Sequence, residues 1–195
     1  MSKAIELQSG DGLIPSKLID NRLHYRGHKF TYRVDRLQLP NGAEGEYEYI
    51  RHPGAGLAVP VNADSKFLLV KQYRFAVQRY LLEFPAGTLE AGENPDNTIQ
   101  RELEEETGYR AHRWQKLGSF FICPGYSDEI IHAYLAQDLE LLDNPPPQDD
   151  DEEIEVVCLS ADEIQDLIAA GDAVTSLDAK SITAFHLTLP YLRLL

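Results

Sequence analysis

Apolar positions along this chain fall mostly in short runs bounded by turn residues, with three stretches at helical spacing. Residues 1 to 20 show no clear period and are expected to form a peripheral arm. From Leu23 to Leu39 there is partial alternation, with Phe30, Tyr32 and Val34 on one side. The turn residues of 40 to 42 and a second alternating run, Glu46 to Arg51, complete an expected β-hairpin. LAVPV and KFLLVKQYRF then read as two strands of a second hairpin around Asn62, Ala63 and Asp64, and YLLEFPAG (80 to 87) as one further strand. WQKLGSFFI, IIHAYLAQDL and IEVVCLS supply three more. Helices are expected at about 96 to 107, at 161 to 170 behind a Ser160/Glu163 capping box, and at 177 to 194, interrupted by Pro190. Strands and helices that alternate this unevenly predict an α+β fold, an α/β/α sandwich with a mixed sheet. The chain thus reads as an N-terminal arm and hairpin over residues 1–50 and a main domain over 51–195; the hairpin cannot bury both its faces alone, so it is expected to dock on its own core or on another subunit.

The helix at 96 to 107 carries the strongest chemical signal. Asn94 can cap it, Pro95 suits its first position, and Gly108 supplies a left-handed stop. At 100° per residue Glu102, Glu105 and Glu106 share one face, with Ile99 and Leu103 on the apolar side beside it. Like charges at this spacing repel unless a cation sits among them. Hard divalent cations take oxygen ligands, so this face is suited to Mg²⁺ or Mn²⁺. A solvated acidic face is the plainer alternative for three glutamates taken alone.

Charge and cysteine content narrow the classes. The formal net charge is −14, which opposes nucleic acid and anionic membranes as partners. A small anionic substrate is repelled as well, unless metal and local arginines reverse the field. Cys123 and Cys158 form no CxxC pair, lie in apolar stretches, and are expected as buried free thiols. No apolar run approaches the roughly 18 residues needed to span a bilayer, and a soluble cytoplasmic protein is expected.

The spacing of Gly87, Glu93, Arg101, Glu102, Leu103, Glu105, Glu106, Gly108 and Tyr109 fits the Nudix box, G-x5-E-x7-R-E-U-x-E-E-x-G-U with U bulky and apolar, at every fixed position. A chance match is on the order of 10⁻⁸ per start position. The resemblance to Nudix hydrolases implies a strand, loop and helix that hold metal over a diphosphate. Glu102 and Glu106 match the family's main metal ligands and Glu105 its auxiliary one. Arg101 and Glu93 match an ion pair that ties helix to loop, a scaffold together with Gly87 and Gly108.

From about residue 45 to 185 the chain is similar to the ADP-ribose pyrophosphatase branch. Gln72-Tyr73-Arg74 followed by Leu82-Glu83-Phe84-Pro85-Ala86-Gly87 resembles that branch's lead-in to the box. This implies a diphosphate-binding role for Arg74, a metal-shell carbonyl at Ala86, and a carboxylate at Glu83 that helps hold metal-bound water. Cys123 to Glu129 resembles the branch's Pro-Gly loop, which puts Pro124, Gly125 and Glu129 at the substrate. The resemblance places the catalytic base in the acidic loop at Glu152, with Glu153 as the one-residue slip. Arg51 reads either as added positive charge for substrate or as an exposed strand-end arginine. Tyr32, Tyr47, Tyr49 and Tyr126 are candidate stacking partners for a base, and His28, His52 and His132 are read as structural.

The implied reaction is metal-dependent hydrolysis of ADP-ribose to AMP and ribose 5-phosphate by a homodimer whose N-terminal hairpin crosses to its partner. Two other readings stay open. One is a hydrolase of another nucleoside diphosphate sugar, such as GDP-mannose or ADP-glucose. The other is a non-catalytic nucleotide sensor, whose signature would be a missing metal carboxylate; all three are present.

Overall fold

The computed structural model describes residues 15–90, 92–148, 154–171 and 177–192. It divides into two compact units, Met1–Arg51 and His52–Leu195.

The first unit is a three-stranded antiparallel sheet, β1 (Lys17–Arg26), β2 (Thr31–Gln38) and β3 (Glu44–Arg51), in that order. The expected hairpin thus has a third strand. A turn closed by Gly27 N–H donating to the Phe30 carbonyl splits the stretch from Leu23 to Leu39, and residues assigned to a peripheral arm pair with β2. β1 gives no sequence period because it is exposed along its whole length, so neither face is selected to be apolar.

The second unit holds two sheets. β4 (Ala55–Pro60), β7 (Ala86–Thr88), β8 (Tyr109–Phe121) and β9 (Ile130–Leu141) form a mixed sheet in the order β7-β4-β9-β8, with only the β4–β9 pair parallel. β5 (Phe67–Arg74), β6 (Arg79–Glu83) and β10 (Ile154–Leu159) form an antiparallel sheet in the order β10-β5-β6. Three helices complete it: α1 (Pro95–Thr107), α2 (Ala161–Ala170) and α3 (Ala179–Leu192). β4 is buried on both faces. Its Leu57 and Val59 join Phe67, Phe84, Ile164 and Phe185 in the larger core, on the side of α2 and α3, while Ala58 meets Ile99 and Leu103 of α1. The mixed sheet therefore lies between α1 and the other two helices, as expected of an α/β/α sandwich.

Four local expectations are corrected. β4 and β5 touch through a single bridge, Val61 with Phe67, and then diverge into different sheets, so they form no hairpin. The stretch from 80 to 87 is two strands. Phe84 donates its N–H to Ser181 Oγ at 2.8 Å and Pro85 has none to give, so the ladder stops at Glu83 and the chain changes sheets before Ala86. α3 continues past Pro190 to Leu192, the ring falling in its last turn. Cys158 is exposed, not buried, on the same face of β10 as the exposed Val156; Cys123 is half-buried. No helix of the described residues is long and apolar enough to cross a membrane.

Candidate active site

Local sequence dictates how α1 is delivered. Asn94 accepts the Asp96 N–H at 3.0 Å, and Gly108 (φ 74°) donates back to the Glu104 carbonyl at 3.0 Å. Ile99 and Leu103 are fully buried, and Gly56 of β4 lets the helix approach, since a Cβ there would sit 3.1 Å from that of Ile99. Tyr134 of β9 donates to Asp96 at 2.5 Å and pins the N-terminal turn. Burial, followed by this hydrogen bond, pushes the Tyr134 hydroxyl well above its ordinary range.

With the helix fixed, its carboxylates meet β7. Glu106 is only 3% exposed and accepts the Ala86 N–H at 3.1 Å. Glu102 occupies the space a side chain at position 87 would need: a Cβ on Gly87 would lie 2.0 Å from its carboxylate. Arg101 Nη1 stands 2.9 Å from both Glu102 Oε1 and Glu105 Oε2, and its Nη2 is 3.7 Å from Glu93 Oε2. Glu93 in turn accepts the Glu90 N–H at 3.1 Å, which ties the loop before α1 to the helix. Glu104 faces elsewhere, paired with Arg110. Among the described residues no three His, Cys, Asp or Glu side chains converge into a closed metal cage. Even so, the donor set fits a hard divalent cation: oxygen ligands only, one of them buried, in a cradle kept open by a glycine.

A second cluster stands at the end of β6. Arg74 grips Glu83 through Nε and Nη2, both at 2.7 Å, and Lys180 contacts both Glu83 and Asp178. The Glu83 side chain is 2% exposed and that of Lys180 13%, whereas Arg74 remains 40% exposed. Burial alone would raise the Glu83 pKa, but the Arg74 hydrogen bonds and the Lys180 charge outweigh it and bring the carboxyl down to about 2. Burial would lower Lys180, yet Asp178 and Glu83 hold it above its ordinary value.

Lys180 and Asp178 were missed at the sequence level. One signal existed: a lysine in the first turn of a helix opposes the helix dipole and calls for a local anion. Asp178 also caps α3, accepting the Ser181 N–H at 3.0 Å.

The Pro-Gly loop is built on the Cys123 carbonyl, which accepts the N–H groups of Tyr126 and Ser127 at 3.1 and 2.9 Å. Asp128 accepts the His52 N–H at 2.8 Å and so fastens the loop beside the start of β4. Gly54 donates to His52 Nδ1 at 3.1 Å, and Glu129 lies 4.0 Å from the same nitrogen. Pro124, Gly125 and Tyr126 are exposed and Glu129 is half-buried. In the N-terminal unit, Arg51 lies over the Tyr49 ring at 5.1 Å, Tyr49 donates to the buried Asp35 at 2.5 Å, and Tyr32 donates to Glu48 at 2.6 Å. Glu152 and Glu153 lie outside the described residues.

The NUDIX domain family matches residues 50–178. The chain is 36% identical over 173 residues to an ADP-ribose pyrophosphatase of Bacillus subtilis (strain 168), covering 89% of this chain and 92% of that one. It is 40% identical over 151 residues to a methanol dehydrogenase activator of Bacillus methanolicus, covering 77% and 82% respectively. Among solved structures it is similar in fold to an ADP compounds hydrolase, with a TM-score of 0.77 and 24% identity over 93% of this chain and 96% of that one. The Nudix box on α1 and its lead-in, the sandwich around it and the match over 50–178 lead to one conclusion: the chain belongs to the Nudix family, whose members are generally divalent-metal-dependent hydrolases.

Proposed function

We propose that this enzyme hydrolyses the diphosphate bond of ADP-ribose, giving AMP and ribose 5-phosphate, with Mg²⁺ or Mn²⁺ as the metal. The observation that carries the reading is the cradle between α1 and β7, in which buried Glu106 is bonded to the Ala86 N–H and Glu102 fills the space over Gly87. The similarity to the Bacillus subtilis pyrophosphatase supports ADP-ribose as the substrate.

Glu102 and Glu106 would hold the metal, helped by Glu105 and the Ala86 carbonyl. When bound, the metal neutralises the anionic bridge and polarises the phosphoryl group toward attack. Arg101 is paired with Glu102 and Glu105, so a metal taking these carboxylates would share or displace that contact. Arg74 is the exposed member of its cluster and binds diphosphate oxygens, while Glu83 keeps its guanidinium in one orientation. Glu152, or Glu153, accepts a proton from the attacking water as its oxygen bonds to phosphorus and the bridging P–O bond breaks. Pro124, Gly125 and Glu129 border the substrate from a loop fixed by Asp128. Arg51 and the Tyr49 ring supply a cationic, aromatic surface suited to a nucleotide.

Residues 1–50 pair two copies of the chain. The support is β1, an edge strand that exposes Leu18, Ile19, Leu23 and Tyr25. Sedimentation should give a dimer, and an active monomer would refute the pairing.

Product analysis with ADP-ribose, ADP-glucose, GDP-mannose, NADH and dGTP tests the substrate. AMP released from ADP-ribose well above the rest, and abolished by EDTA, is the expected result. Preference for a GDP-sugar would overturn the substrate and keep the metal chemistry. Nucleotide binding without turnover would mean a sensor.

A further inference from the structure

Arg74, Glu83, Lys180 and Asp178 form a cluster of two cations and two anions that joins β5, β6 and the start of α3. Its members differ sharply in exposure. Glu83 is sealed, Lys180 nearly so, and Arg74 keeps 40% of its side chain in solvent. Of the two cations only Arg74 is therefore placed to meet an anionic ligand, and its charge is useful to an anion only as far as Glu83 does not consume it. Glu83 is not left to Arg74 alone, because Lys180 takes a share of the same carboxylate, through the oxygen that Arg74 Nη2 contacts.

The position of Lys180 is also costly without this arrangement. It stands in the first turn of α3, where the helix dipole is unfavourable to a cation. Asp178, the residue that caps the helix, compensates by contacting Lys180 while accepting the Ser181 N–H. Ser181 Oγ in turn accepts the Phe84 N–H, the residue immediately after Glu83. The start of α3 thus holds both the side chain at 83 and the backbone at 84, three and two residues before Ala86.

We propose that Lys180 is a positioning residue for diphosphate recognition, which shares the Glu83 carboxylate with Arg74 so that the Arg74 guanidinium is held in one orientation and keeps positive potential for the substrate. The inference rests on the diphosphate-binding reading of Arg74 given above. Lys180 touches no substrate; it acts through Glu83. Replacing it with a neutral side chain leaves the cluster with one excess negative charge, and Glu83 then draws on Arg74 alone. Since Arg74 contacts the diphosphate before and during reaction, the loss falls on binding more than on chemistry.

The test is Lys180→Met beside Lys180→Arg, with steady-state kinetics on ADP-ribose and Mg²⁺, calorimetric binding of ADP-ribose in EDTA, and melting temperature. Lys180→Met should raise KM and Kd together by about 5- to 20-fold, with kcat within about threefold, as expected for lost uniform binding. Lys180→Arg, which keeps the charge, should restore most of the affinity. In an Arg74→Ala background Lys180→Met should weaken binding little further, because its effect passes through Arg74. Equal loss in the Met and Arg variants, tracking a fall in melting temperature, would overturn the proposal and leave Lys180 a packing residue. Unchanged KM and Kd in Lys180→Met would overturn it as well. Should Lys180→Met not fold, the double variant Asp178→Asn, Lys180→Gln removes one charge of each sign, and undiminished affinity there would refute the role. If the wild-type protein neither binds nor hydrolyses any nucleoside diphosphate sugar, the functional reading itself fails, and this inference falls with it.

Discussion

Gly87 and Glu102 occupy one space: a Cβ at position 87 would lie 2.0 Å from both Cδ and Oε1 of the Glu102 side chain. The glycine is required by a close approach across elements, from β7 to the second turn of α1, and not by a turn conformation. The obstructed atoms are the end of a flexible side chain, so Gly87→Ala should move the carboxylate and leave the backbone in place. Folding should survive, while metal affinity measured by titrating activity falls about 10- to 100-fold, the usual cost of disturbing a ligand's support. An alanine variant with wild-type metal dependence would mean that Glu102 is not a ligand.

Glu83 sets an acid limit on stability. Its folded pKa, about 2, lies below the ordinary 4.5, so its ionised form stabilises the fold fully above about pH 4.5, and that contribution is lost as pH falls from there toward 2. Melting temperature should drop through this window. Glu83→Gln, which cannot titrate, should be less stable at neutral pH by about 3–5 kcal/mol, the cost of breaking a buried pair. It should also fall less steeply in acid. Parallel pH profiles for the two proteins would remove Glu83 as the source.

The Tyr134 and Asp96 contact separates scaffold from chemistry. Tyr134→Phe removes the hydrogen bond but leaves Asp96 in solvent, so no buried charge is stranded. Stability measured by urea denaturation should fall by about 1 kcal/mol. Turnover at saturating metal and substrate should be unchanged, because the carboxylates lie one to three turns away along α1. A large loss of turnover would show that the first turn of α1 reaches the substrate.

Legibility in the sequence followed the range of the interactions. Asn94, Pro95 and Gly108 fix α1 through bonds within a few residues, so both its ends were readable, as was the Ser160 and Glu163 capping box. The change of sheets at Phe84 and Pro85 was not, because the partner that takes the Phe84 N–H is Ser181, almost a hundred residues on. Lys180 escaped for the same reason: its anion, Glu83, is equally distant in sequence. β1 was hidden by its exposure on both faces, which leaves no alternation to read. The Nudix carboxylates were legible because their spacing is local to one helix. Their approach to Ala86 and Gly87 needed the fold, since the direct contact of α1 with β7 is made across elements and leaves no mark in the local pattern of either.

Metal-dependent hydrolysis on the carboxylate face of α1 is most directly tested by adding Mg²⁺ back to EDTA-treated protein and following AMP release from ADP-ribose, in the wild type and in Glu106→Gln. The substitution is nearly isosteric and removes a charge that is 3% exposed, so the fold should persist while several kcal/mol of transition-state stabilisation is lost. The expected result is saturable activation of the wild type and a rate lower by on the order of 10²- to 10³-fold in the variant at any Mg²⁺ concentration. AMP release that needs no metal, or that Glu106→Gln leaves intact, would contradict the account.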